Sequence, residues 1–379
     1  MKAIKIILGI LLSAVLLCAG FLIGFAYRIF IEDRPVSENL SLVRGDLSIH
    51  FMELGNSKTG DSVFIQCGEN DILIDAGSED SSSSTLINYI DQYVTDGTLE
   101  YVIATHAHED HIGAFYSTTS HGEGIFEHYV VENIIDFPMT NKDDDENDSS
   151  VLGRYYKARN DEIRAGANHW TALECYNNEN GASRVIELSQ DVELEILYNY
   201  YYDHSQSIGE NDYSVCVMIN QGDNHYLFTG DLEDRGEKRL VEYYETNHGG
   251  LPHCILYKAG HHGSYTSSCD ELMEAITPEY VCVCCCAGTS EYTENSARQF
   301  PSQDFINRIA PYTDKVYVTT MVDHYSDTFS ECTYKSMNGN IVFTVSSGEI
   351  SLTFSNNDLK IKDTDWFKEK RTCPEAWLA

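Results

Sequence analysis

The sequence predicts a mixed α/β domain with covered sheets, placed behind a single membrane-spanning helix. Three observations carry that expectation. Short apolar or alternating runs recur from Leu47 to Phe354 and are interleaved with helical stretches. Of 379 residues, 42% are hydrophobic and 11% aromatic, enough to bury a sizeable core rather than leave the chain disordered. The 22 residues between Lys5 and Arg28 carry no charge.

At 1.5 Å per helical residue, that uncharged run reaches about 33 Å, enough to cross a bilayer. It is too long for the apolar region of a cleaved signal peptide, and Phe25-Ala26-Tyr27 makes a poor cleavage exit. Residues 1–28 are therefore expected to anchor the chain, with residues 6–27 in the membrane and residues 29–46 as a tether. Lys2 and Lys5 before the span nearly balance Arg28 and Arg34 after it, so charge fixes orientation only weakly. The expected arrangement is single-pass, with the domain outside the cytoplasm.

From Leu47 the pattern turns to strands: LSIHFMEL, SVFIQC and DILIDAG, broken by Gly, Asn and Asp. A helix over Ser84–Tyr93 precedes the strand YVIATH. Residues 138–183 read as a polar surface insertion, holding the acidic loop NKDDDENDSS and the helical stretch VLGRYYKARNDEIRAG. Strands return at RVIEL, VELEILYNY, SVCVMIN and HYLFTGD. A helix over Glu237–Glu245, the strand HCILYKAG and a helix over Ser268–Ala275 follow. The run VCVCCCAG reads as a buried strand, in which free cysteines act as small hydrophobes. No CxxC pair separated from a second supports a metal site there. A helix near Asp304–Ile309, the strands VYVTT, NIVFTV and EISLTF, and a tail over 356–379 close the chain.

The 60 acidic and 25 basic residues give a net charge of −35. That excludes tight electrostatic binding of a nucleic-acid backbone, which needs Lys and Arg against phosphates. A metal-assisted enzyme acting on phosphates stays open, because the metal supplies positive charge.

The chemistry concentrates in three strand-end elements. YVIATH runs into Thr105-His106-Ala107-His108-Glu109-Asp110-His111, four potential ligands within six residues. A strand end followed by a tight turn and a helix start lets such side chains converge, and imidazoles with a carboxylate suit a metal. Thr229-Gly230-Asp231 ends another strand; alone it would be an ordinary turn aspartate. Lys258-Ala259-Gly260-His261-His262-Gly263-Ser264 ends a third, and adjacent histidines point in different directions, so one of the two is expected to ligate.

In this order the elements resemble the metallo-β-lactamase fold, and most closely the hydrolase domain of ComEC-type competence proteins. The carriers are the HxHxDH pattern at His106–His111, Leu73-Ile74-Asp75-Ala76-Gly77, Asn211-Asp212-Tyr213-Ser214, TGD at Asp231 and KxxHHGS from Lys258. The resemblance implies an αββα four-layer sandwich over residues 47–355 and a site for two divalent metals, Zn²⁺ foremost, with Mn²⁺ or Fe²⁺ as alternatives. It implies His106 and His108 on one metal, Asp110 and His111 on the other, and Asp231 bridging. His261 is the expected further ligand, because it directly ends the strand, and His262 the catalytic residue facing substrate; Asp110 is a catalytic candidate as well. Lys258, Asp212 and Ser264 are candidate substrate contacts.

The chain departs from that pattern in two places. Many members of the broad family carry a further His ligand before the aspartate, and none of His121, His128, His169, His204 or His225 sits in a convincing motif. Phe300-Pro301 stands where the subgroup often has His-Pro, so a substrate-side histidine is missing. Asp61, in an extended turn, reads as a turn-stabilising carboxylate. The expected function is a membrane-anchored metal-dependent hydrolase of phosphodiesters, nuclease-like or phosphorylcholine-esterase-like, acting on a small-molecule, cell-surface or nucleic-acid substrate. Hydrolysis of an amide, lactone or thioester, and non-catalytic metal binding at the surface, are the alternatives, since fold does not fix substrate.

Overall fold

The computed structural model of the chain describes residues 45–142, 149–204 and 208–378. The expected anchor and nearly all of the tether lie outside the described residues. Among the described residues, no helix is long and apolar enough to cross a membrane.

The strand-forming runs build two eight-stranded sheets. In spatial order the first is β16 (Glu349–Phe354), β15 (Ile341–Ser346), β1 (Leu47–Phe51), β2 (Val63–Cys67), β3 (Asn70–Ile74), β4 (Thr98–Ile103), β5 (Val130–Asp136) and β6 (Asn168–Thr171). The second is β14 (Thr333–Ser336), β13 (Val316–His324), β12 (Tyr280–Ala287), β11 (Leu256–Lys258), β10 (Asn224–Phe228), β9 (Val217–Gln221), β8 (Val192–Ile196) and β7 (Val185–Glu187). Side chains alternate across a strand, and the second sheet uses both faces. Val217, Ile219, Tyr226, Phe228, Cys282 and Cys284 join the core shared with the first sheet. Their neighbours Met218, Leu227, Tyr257, Val281 and Val283 pack instead with the helices Asp234–His248, Asp270–Ile276 and Gln303–Ile309. Phe51 of β1 stacks on Phe228 of β10 at 6.3 Å, a contact joining the sheets face to face. Replacing such a buried Phe by Ala typically costs about 3–5 kcal/mol, from lost transfer energy and the cavity left behind.

Four buried cysteines of β12 lie in this packing, two facing each core, as expected of a buried strand. Two other expectations change. The segment 138–183 is not merely a polar surface insertion. It supplies edge strand β6, and its helix Val151–Ala165 buries Leu152, Tyr155 and Ala158. The tail beyond residue 355 is also packed, because Trp366, Phe367 and Trp377 complete the second core. Arg371, buried with them, donates to the carbonyls of Pro301 and Gln299.

Strands β3, β4 and β5 are parallel, and so are β10 to β13. Each chemical motif of the sequence follows the carboxyl end of one of these strands. In open parallel arrays that edge leaves a crevice where ligands bind.

Candidate metal centre

The first motif is held by a carboxylate just beyond β3. Asp75 takes a left-handed backbone, φ 60°, which short polar side chains tolerate. Its two oxygens accept from Thr105 N and Thr105 Oγ1, each at 2.7 Å, and Oδ2 also accepts from His111 Nδ1 at 2.7 Å. A carboxylate cannot donate here, so Nδ1 of His111 carries the proton and Nε2 turns toward the interior of the cleft. There it lies 3.2 Å from Asp231 Oδ2 with no hydrogen-bond partner.

Asp231 is placed by the turn after β10. Its N–H donates to Ser214 Oγ at 3.0 Å. Gly230 has φ 53°, and a Cβ there would meet Ser214 Oγ at 2.8 Å and Thr105 Cβ at 3.0 Å; only glycine allows this approach of the two loops. His106 Nε2 lies 3.9 Å from Asp231 Oδ2 and 3.1 Å from His108 Nδ1. The strand-end turn and the TGD turn thus meet, as their sequence positions predict.

The two adjacent histidines sit in left-handed backbone, φ 46° and 54°, a conformation costly outside glycine and common at binding sites. Their places are the reverse of the sequence expectation. His262 is wholly buried, with Nε2 3.3 Å from Asp231 Oδ2 and 3.5 Å from Asp110 Oδ2. Its Nδ1 lies 2.9 Å from the Cys284 carbonyl and 3.1 Å from Asp61 Oδ1, both acceptors, which again leaves Nε2 facing the cluster. His261, 19% exposed, stands at the rim. Its Nδ1 contacts Thr266 Oγ1 at 3.1 Å and Glu233 Oε1 at 3.4 Å, and its Nε2 is 3.9 Å from Asp231. The left-handed turn swings the second histidine, rather than the first, back under the strand edge.

The substrate-contact expectations also move. Lys258 is 2% exposed; its ammonium pairs with Asp61 and donates to the Gly230 carbonyl at 3.2 Å, so it serves the interior. Ser264 is buried and accepts from Thr266 N at 3.2 Å, shaping the turn. Asp212 is buried beside the first turn of helix Asp234–His248; burial, then Glu233, raise its carboxyl to about 6. Asn211, next to it, does reach the site, with Nδ2 3.3 Å from His261 Nε2. His121, His128, His169 and His225 each pair elsewhere, with Asp80, Asp91, Asp136 and Asn220.

Sequence reasoning missed three contributors. Asp61, read as a turn residue, joins His111, Asp231 and His262 in a group whose ligand atoms lie within 4.8 Å of one another. Asp75 stands in the LIDAG run, where its place after an apolar strand was a usable signal. Tyr292, on the loop after β12, donates to Asp110 Oδ2 at 2.7 Å; nothing local in sequence marks it.

The electrostatics call for cations. Asp61, Asp75, Asp110 and Asp231 crowd one strand edge with a single ammonium, Lys258. Burial alone would raise the Asp231 carboxyl, yet His111 and His262 hold it well below the usual range. Burial pulls down the imidazoles of His111 and His262, and Asp231, with Asp75 or Asp61, reverses that and holds both well above the ordinary value. Asp61 Oδ1, His111 Nε2, Asp231 Oδ1 and His262 Nε2 are buried without hydrogen-bond partners. Unpaired buried polar atoms are costly, and a carboxylate-imidazole set facing one point is the donor set of a divalent metal. The residues present fit such an ion.

Beside His108 opens a cavity of about 400 Å³, lined by Ala107, His108, Glu109, Lys142, Ser150, Val151 and Leu152. It gives the cluster a neighbouring space of the size that holds small ligands.

Comparison with known proteins agrees with this geometry. The sequence model of the metallo-beta-lactamase superfamily matches residues 57–123. Competence protein ComA of Neisseria gonorrhoeae is 31% identical over 116 residues, which is 31% of this chain and 15% of that protein. The chain therefore spans a small part of that relative's length. Among solved structures, the metallo hydrolase Igni18 of Ignicoccus hospitalis matches 76% of this chain and 99% of its own at 11% identity and a TM-score of 0.37. The metallo-beta-lactamase fold protein YhfI of Bacillus subtilis matches 72% and 95% at 10% identity and a TM-score of 0.35. With two sheets, strand-end motifs and the matched segment in hand, the chain is a member of the metallo-beta-lactamase superfamily.

Proposed function

We propose that this protein is a membrane-anchored, metal-dependent hydrolase of phosphodiesters, its domain held outside the cytoplasm by residues 6–27. The observation that carries the hydrolase reading is the set of buried, unpartnered ligand atoms of His111, Asp231 and His262 converging at one strand edge. His106 and His108 would hold one divalent ion, Asp110, His111 and His262 a second, and Asp231 would bridge. Bound there, such ions supply Lewis acidity and an activated water near neutral pH. Zn²⁺ suits the imidazoles, and Mn²⁺ or Fe²⁺ suits the carboxylates as well.

The chain's own residues do the orienting. Asp75 fixes the His111 tautomer, and the Cys284 carbonyl fixes that of His262. Lys258 neutralises Asp61 beneath the cluster. Half-exposed at the rim, His261 takes the substrate-facing role first expected of His262. A phosphodiester is favoured because this strongly acidic chain would meet an anionic substrate best through bound cations. The likeness to a competence protein points the same way.

The test is to purify the full chain from membranes, count its metals, and assay bis(4-nitrophenyl) phosphate beside a lactone, an amide and a thioester. Turnover of the diester alone supports the proposal. Turnover only of another class moves the substrate, and bound metal without any turnover makes the chain a metal-binding surface protein.

A further inference from the structure

The rim of the cluster lacks the histidine that the sequence comparison led us to seek at Phe300. The structure puts a phenol there instead. The loop after β12 is tied at several points: Gly288 N donates to the Phe300 carbonyl at 2.9 Å, Ser290 Oγ to the Ser326 carbonyl at 2.6 Å, and Thr59 N to Glu291 Oε2 at 2.7 Å. Tyr292, the next residue, rests its ring 5.3 Å from Phe300, which in turn packs 5.7 Å from His261 and 5.8 Å from His262. Its hydroxyl reaches Asp110 Oδ2 at 2.7 Å, yet the residue is 56% exposed. An exposed ring with its polar tip at the cluster borders the space a substrate must enter.

We propose that Tyr292 is a substrate-binding residue of this centre, whose O–H donates to a non-bridging phosphoryl oxygen and so takes the place of the absent histidine at Phe300. The claim rests on the phosphodiester reading for its substrate, and on the loop geometry for the residue. A tyrosine hydroxyl is a neutral donor near pH 7, so it can meet a phosphoryl anion without first losing a proton. Hydrogen bonds to charged groups are among the stronger ones, so its loss should be measurable in anion affinity.

The competing role is a positioning one, in which Tyr292 only props Asp110 for the metal. Tyr292→Phe separates the two, because it keeps the ring on Phe300 and removes only the hydroxyl. In the full chain loaded with Zn²⁺ or Mn²⁺, metal content and metal affinity are measured first, then the affinity for inorganic phosphate, then diester turnover. The proposal predicts unchanged metal binding, phosphate affinity weaker by roughly tenfold or more, and KM for the diester raised in step. Metal affinity falling with the hydroxyl, or phosphate affinity left as in the wild type, would overturn it. A wild-type chain that binds phosphate through Tyr292 but turns over no diester would keep this assignment and remove the phosphodiester reading.

Discussion

Two sets of buried histidines in this molecule stand in opposite surroundings. His50, on β1, is wholly enclosed by aromatic rings, with Phe64 at 5.4 Å and Tyr93 at 4.7 Å, and its Nδ1 lies 2.8 Å from Tyr89 Oη. Burial alone depresses it to about 3, so it is neutral at any ordinary pH. His111 and His262 are buried as fully, but four aspartates and one lysine share their strand edge. There the carboxylates outweigh burial and favour positive charge. Equal burial with opposite electrostatics shows that depth does not make a site; an excess of fixed anions does.

Removing the shared anion should break that contrast most severely. Asp231→Ala is expected to lower turnover by about 10³-fold or more and to strip metal, while circular dichroism stays near wild type, since Asp231 lies in a turn and not in a core. Retained metal with lost turnover would show that Asp231 does not bridge.

The two adjacent histidines test the same contrast at closer range. His262→Ala should lose metal, because its Nε2 faces Asp231 and Asp110. His261→Ala should keep metal and lose roughly 10²–10⁴-fold in rate, the range of general acid–base help. Metal analysis beside steady-state rates checks both, and the opposite pattern would restore the order expected from sequence.

Lys258→Met sharpens the role of the lone cation. It leaves Asp61 buried beside the cluster without its ammonium, a change that in buried pairs costs about 3–5 kcal/mol. Denaturant unfolding should show that loss, and added divalent metal should recover part of it. A loss within about 0.5 kcal/mol, as at ordinary surface positions, would mean that Asp61 needs no partner.

His50 gives the smallest effect and isolates the other half of the comparison. Its folded value lies below the unfolded one, so its contribution is present above about pH 6.5 and is lost as pH falls toward 3. Between pH 6.5 and 5 the loss should reach about 2 kcal/mol, at 1.36 kcal/mol per unit. His50→Phe should flatten that part of the stability profile relative to wild type. Parallel profiles for the two proteins would show that His50 is not buried neutral.

These contrasts differed in how legible they were. His106, His108, Asp110, His111 and Asp231 were readable because ligand-type residues at the ends of apolar strands have few other reasons to cluster. The strand VCVCCCAG was readable from its β-branched and small apolar residues. Strand β5 was not, since VVENIID interrupts its apolar run with Glu132 and Asn133, and β6 has only four residues. Lys258 looked like an exposed strand-end cation, but every residue of the three-residue β11 is buried. His261 and His262 could not be ordered from spacing, because their left-handed turn reverses which side chain points inward. Tyr292 depends on a tertiary contact across 182 residues of sequence, which no local pattern encodes.

The central claim is that the anion-rich edge exists to hold divalent cations. The most direct measurement is the metal content of the full chain, purified without chelator, read beside its thermal unfolding before and after chelation. The account predicts two equivalents of divalent metal per chain, a lower unfolding temperature after chelation, and neither property in Asp231→Ala. A wild-type chain that carries no metal and unfolds at the same temperature with and without added Zn²⁺, Mn²⁺ or Fe²⁺ would contradict it.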